Sequence, residues 1–225
     1  MKIPRDAVFV LTEAGAQTTA DFRAKSAASI DHCLTHAFRE AWGGSRRCVP
    51  QEDTTTPGPR VAVPLGDTST IQGVLGWHDD GAIHVFRDGM SDEQLSITAD
   101  HEIKEAALDP GACIWSDTGT GQEVAYEACD AVEGFSFVPP GCEMPVSDFV
   151  LPSFFDPSGE RPFSHLDKPT APFTTAPDDG ANYQIVRTVD ENGAQQVTAD
   201  LSRHPRAKAK AHPSSRTSRR GVRQP

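Results

Sequence analysis

The stretch SDEQLSITADHEIKEAALDP, residues 91–110, decides how the chain is read. Ser91 followed three residues later by Gln94 is a capping-box start, and Asp109-Pro110-Gly111 is a stop, so a helix over 91–109 is marked at both ends. Laid out at about 100° per residue with His101 at zero, Glu105 falls near ~40°, Asp109 near ~80° and Glu102 near ~100°. Leu95, Ala99, Ile103 and Ala106 occupy roughly 120° to 200°, so the acidic edge borders an apolar one. Lys104, the only base in the segment, lies near ~300° and does not neutralise the acids. A histidine and three carboxylates along a part-buried edge are costly unless a cation sits there, because like charges raise one another's pKa and burial disfavours every charged form.

The spacing offers a cation a place. In His-Glu-x-x-His helices two ligands at i and i+4 point to one Zn²⁺, and the Glu after the first His takes a proton from water. The run HEIKE keeps that geometry with Glu105 in place of the second histidine. A carboxylate oxygen is an accepted zinc ligand at about 2.0–2.2 Å, so His101 and Glu105 read as ligands and Glu102 as the base. More oxygen and less imidazole make the site harder and weaken its preference for zinc over manganese or another divalent ion. A third ligand must come from elsewhere, and YEACD supplies Glu127 and Asp130 beyond a Gly-rich loop. Asp109 is a weaker choice, since an Asp before Pro is often only a helix terminus.

Outward from this helix the chain reads as α+β. AVFVL at 7–11 is a first strand, and apolar residues at helical spacing from Asp21 to Trp42 predict one helix stopped by Gly43-Gly44. A Thr/Pro-rich loop spans 45–59, and RVAVPL, TIQGVLGWH and AIHVFRD follow as three strands, the last two joined by the turn DDG at 79–81. After the motif helix comes the loop SDTGTGQE, then an extended Pro/Gly-rich arm over 138–180 lying across the core, then a small hairpin within 183–201. Residues 1–201 are expected to form a single domain and 202–225 a disordered basic tail.

Composition bounds the function. Eight of the 21 Lys+Arg and none of the 32 Asp+Glu fall in Leu201–Pro225, so the net charge of −11 divides into +8 for the tail and −19 for the body. An acidic body repels nucleic acid, while the tail can make non-specific, salt-sensitive contact with a polyanion. No run reaches a membrane span and no signal peptide is read at the N-terminus, so a cytoplasmic protein with no membrane partner is expected. Five cysteines without paired C-x-x-C spacing predict free thiols.

Other chemistry-bearing residues read more blandly. His32 and His36 stand at i, i+4 but opposite the apolar stripe, on solvated surface. His78 and His84 flank the DDG turn, where strand histidines are more often structural. His165 lies in the Pro-rich arm, from which it can fold back over the site. Ser147 and Ser153 lack a Gly-x-Ser-x-Gly elbow, and TGTGQE lacks the Lys-Ser/Thr end of a phosphate loop.

HEIKEAALDP, YEACDAVEG, VSDFVLPSFFD and FSHLDKPTAPFTTAP, in that order, together with AFREAWGG and GVLGWHDD upstream, resemble a family of zincin-like metalloproteases encoded in bacteriophage genomes, across about residues 7–186. Trp77 stands where the family pattern has Tyr, and the tail after Leu201 is an addition. The resemblance implies a zincin-like mixed sheet with the motif helix as active-site helix. It also implies His101 and Glu105 as zinc ligands, Glu102 as base, and another ligand from Glu127–Asp130. The expected function is a metal-dependent hydrolase of phage or prophage origin acting on a peptide or protein substrate, in the host cell or associated with the virion. Its counterpart is a non-enzymatic virion or assembly protein, partnered with phage structural proteins, that keeps the fold with a structural metal or none.

Overall fold

The computed structural model describes residues 3–15, 18–66, 75–87, 89–177, 182–189 and 195–199. The basic tail at 202–225 and the first part of TIQGVLGWH lie outside the described residues. Strand β1 (Val8–Ala14) begins with four consecutive buried residues, the pattern of a strand covered on both faces. It is an interior strand in a sheet of order β2-β1-β3-β5-β4, with β2 Arg47–Pro50, β3 Arg60–Gly66, β4 Gly76–Asp79 and β5 Ala82–Phe86. β1 runs parallel to β2 and β3, β3 parallel to β5, and β4 antiparallel to β5, so the sheet is mixed and the fold is α+β. The DDG turn between β4 and β5 takes φ +40° at Asp80 and +81° at Gly81, the left-handed pair that a two-residue hairpin turn requires.

The expected single helix over Asp21–Trp42 is two. Helix α1 (Ala20–Thr35), capped by Thr19 Oγ1 on Phe22 N at 3.0 Å, ends at His36, whose φ −117° and ψ −97° redirect the chain into α2 (Ala37–Trp42). The expected loop over 45–59 contains β2, which Val49 and Cys48 hold in the core.

Helix α3 (Asp92–Leu108) has both halves of its capping box: Ser91 Oγ accepts from Gln94 N at 3.3 Å, and Gln94 Oε1 accepts from Ser91 N at 3.0 Å. It packs against β4 and β5, and from Ala99 to Ala107 every residue is buried. Leu95, Ala99, Ile103 and Ala106 join Phe9, Leu11, Ile30, Leu65 and Val85 in the main core. From Ala99 to Ala107 α3 is thus a buried central helix, while its first turns reach solvent through Gln94, Ile97 and Thr98.

SDTGTGQE forms the turn between β6 (Trp115–Asp117) and β7 (Gln122–Ala125). β8 (Ser136–Phe137) pairs with β9 (Val146–Ser147), and β10 (Ile185–Val189) with β11 (Gln195–Ala199) makes the expected hairpin, laid against β7 in an antiparallel sheet of order β11-β10-β7-β6. The 138–180 segment does not lie across a finished core. Val146 and Phe149 belong to the main core, and Val150, Phe154 and Phe163 form a second one with Ala131 and Val132. All five cysteines are free thiols, and no helix of the described residues is long and apolar enough to cross a membrane.

Candidate metal centre

Three segments converge on one flank of α3. His101, Glu102 and Glu105 come from the helix, His78 from β4, and Glu127 and Asp130 from the turn that follows β7. All six are buried, between 0% and 6% exposed. Glu127 and Asp130 are placed by the backbone around them. Tyr126 N donates to Ile114 O at 3.1 Å, Val150 N to Ala128 O at 2.7 Å, and Tyr183 N to Asp130 O at 3.1 Å. Cys129 N donates to Glu105 Oε1 at 3.3 Å, tying this turn to the helix carboxylate itself.

The donor atoms face one another. His101 Nε2 is 3.2 Å from Glu105 Oε1 and 3.3 Å from Asp130 Oδ1. His78 Nδ1 is 3.5 Å from Glu102 Oε2 and 3.8 Å from Glu105 Oε2, and its Nε2 is 3.8 Å from Glu127 Oε2. His78 Nε2 also lies 2.9 Å from the Asp109 carbonyl. A carbonyl can only accept, so Nε2 carries a hydrogen, and Nδ1 faces two carboxylates. Acceptors facing acceptors at these distances repel unless a cation, metal or proton, lies between them. The donors fall into two groups compact enough to hold a metal ion: His78, Glu105 and Glu127, and His101, Glu102 and Glu105.

The predicted residues His101, Glu102, Glu105, Glu127 and Asp130 therefore meet in space, and Asp109 stands apart. Its Oδ2 accepts from Ile114 N at 2.8 Å, closing the loop after the helix, and its contribution to the site is the carbonyl that orients His78. His78 is the residue that sequence reasoning set aside. Its signal was the strand period: Gly76 and His78 point to the same buried face while Trp77 points away. Gly76 has a packing reason to lack a side chain, since a Cβ there would fall 2.7 Å from Glu102 Cγ and 2.8 Å from its Oε1.

The other histidines are elsewhere. His32 and His36 stack on each other at 4.2 Å, His84 stacks on Trp77 at 4.7 Å, and His165 stacks on Phe149 at 5.3 Å. His165 is an exposed residue, and partial desolvation of its ring lowers its pKa below the usual value.

A second buried polar group occupies a different side of α3. Lys104 Nζ donates to Asp100 Oδ2 at 2.5 Å and to Ser147 O at 2.6 Å, and Ser147 N donates to the same Asp100 oxygen at 2.8 Å. The ammonium also sits 4.7 Å from the centre of the Phe149 ring. Burial works against the Lys104 charge, yet the Asp100 carboxylate outweighs it and the pKa is raised. Burial raises Asp100 in turn, in spite of Lys104. Burial likewise pushes the Cys129 thiol well above its usual pKa, so it stands beside Glu105 as a neutral thiol.

A cleft of about 180 Å³ opens onto the centre, with Leu75, Gly76, Gln94, His101, Glu102 and Tyr183 in its wall. His101 and Glu102 are thus reachable from outside despite their low exposure. Compared with known protein families, curated proteins and solved structures, the chain matches none.

Proposed function

We propose that the protein is a metal-dependent hydrolase of zincin-like, peptidase type, of phage or prophage origin. The observation that carries this is the His101-Glu102-x-x-Glu105 turn of a buried helix meeting His78, Glu127 and Asp130 beside a cleft. The donor set of imidazole and carboxylate fits a divalent ion of borderline hardness, Zn²⁺ or a harder alternative, with the Asp109 carbonyl accepting from His78 and the Cys129 amide donating to Glu105. Bound there, such an ion supplies Lewis acidity and a water of lowered pKa.

The residues of the chain do the rest. Glu105 and His101, one helical turn apart, would hold the cation from the helix side, and Asp130 would hold it from the turn. Glu102 lines the cleft and is the group placed to take a proton from water and pass it to a leaving amine. Gly76 lets β4 approach Glu102 closely, so a substrate lying along β4 is brought to the base. Among the described residues β4 pairs only with β5, and its other edge is where an extended peptide would add as a further strand. β5, the strand first expected at the cleft edge, lies inside the sheet between β3 and β4. An open strand edge beside an acid-base carboxylate favours a peptide substrate over a small molecule.

The burial of all six donors gives the non-enzymatic reading its footing, since structural metal sites are closed. Glu102→Gln separates the two. Wild-type protein supplied with zinc is expected to cleave members of a mixed peptide library, read by mass spectrometry. The variant is expected to lose cleavage at least 100-fold while keeping its metal. If neither wild type nor variant cleaves and both hold metal, the virion or assembly role stands instead.

A further inference from the structure

We infer that the centre is built for two divalent cations bridged by Glu105, an inference that rests on reading the cluster as a metal site. The two oxygens of Glu105 face different histidines: Oε1 is 3.2 Å from His101 Nε2, and Oε2 is 3.8 Å from His78 Nδ1. The two compact donor groups share Glu105 and no other residue. A carboxylate that presents one oxygen to each of two donor sets is the bridging element of two-metal sites, whose ions stand about 3.5–4 Å apart. One position would then belong to His101 and Glu105 Oε1, with Asp130 Oδ1 3.3 Å from His101 Nε2, and the other to the group of His78, Glu105 and Glu127.

His78 adds a second imidazole on the far side of Glu105 from His101. The Asp109 carbonyl accepts from its Nε2, which turns Nδ1 toward Glu102 and Glu105.

The test is stoichiometric and needs no substrate. Full-length protein is stripped with chelator, titrated with Zn²⁺ and separately with Mn²⁺ by calorimetry, and its content after dialysis is read by elemental analysis. Two ions per chain are expected, with the Mn²⁺ form giving the exchange-coupled electron paramagnetic resonance spectrum of a bridged pair. His78→Ala is expected to bind one ion, with the uncoupled Mn²⁺ spectrum, and Glu127→Gln checks the same position should His78→Ala fail to fold. One ion per chain in the wild type, unchanged by His78→Ala or Glu127→Gln, overturns the second position and leaves the mononuclear hydrolase intact. No bound ion in a folded wild type overturns both.

Discussion

Gly76→Ala tests the approach of β4 to the helix. The added Cβ would lie 2.7 Å from Glu102 Cγ, 2.8 Å from Oε1 and 3.0 Å from Cδ. Ordinary carbon contacts are about 3.5–4.0 Å, so the Glu102 side chain or the strand must yield by roughly 1 Å. The strand is held on its paired side, with Gly76 in register with Val85 and Leu75 O accepting from Phe86 N at 2.8 Å. The side chain is therefore the part that moves. Overpacking of this kind costs about 1–3 kcal/mol, and a base displaced by ~1 Å costs about 100-fold in rate. Because the three nearest contacts are all atoms beyond the Glu102 Cβ, Gly76→Ala should cost much less in a Glu102→Ala background. A double-mutant cycle by urea denaturation, in excess zinc throughout, is expected to give a coupling of about 1–3 kcal/mol. Equal costs of Gly76→Ala in both backgrounds would refute the contact, and with it the argument that this glycine exists to admit Glu102.

Three further outcomes follow from the buried charges. Lys104→Met leaves Asp100 buried without its cation and is expected to lose about 3–5 kcal/mol in urea denaturation, much of it recovered by adding Asp100→Asn; a loss below ~1 kcal/mol would contradict the pairing. Burial pushes the Cys33 thiol up from 9.0 to about 11, so the folded state keeps a proton that the unfolded chain releases; stability should fall as pH rises from about 9 to about 11, by about 3 kcal/mol, with a shallower slope in Cys33→Ala. Zinc at ~100 times its dissociation constant should raise stability by about 2.7 kcal/mol over the chelated form, and a chelated protein as stable as the loaded one would argue against a metal centre.

Much of the fold was legible because local signals were strong. The capping box and Asp-Pro stop bounded α3 within a residue at each end, and the Asp-Gly turn located the β4–β5 hairpin. What escaped was set by tertiary contact. α1 and α2 share one apolar periodicity, and only the backbone at His36 separates them. The 138–180 segment is rich in turn residues, which hid the fact that Phe149 and Phe154 are among the largest fully buried side chains. Local composition registers the loops of that segment, whereas its aromatics are recruited by contacts with residues far away in sequence.

The site was legible to the extent that a helix could carry it. One turn of spacing placed His101 and Glu105 together, whereas His78 arrived from a strand whose side-chain alternation assigns a face without saying what that face meets. The wheel also treated the helix as part-buried and set Lys104 away from the acidic edge, without showing that Asp100 would be its partner. In the fold, α3 is buried from Ala99 to Ala107, and its charges are sorted onto different sides: Asp100 with Lys104 toward β9, His101, Glu102 and Glu105 toward β4 and the Glu127–Asp130 turn. The Asp100–Lys104 pair is nearly neutral and hydrogen-bonded to Ser147, so it needs nothing from outside the chain. The other side gathers two imidazoles and four carboxylates around Glu105, a group that could hold a metal ion. One turn of helix therefore separates a buried acid paired with its own lysine from a histidine and carboxylate group of the composition that metal sites use.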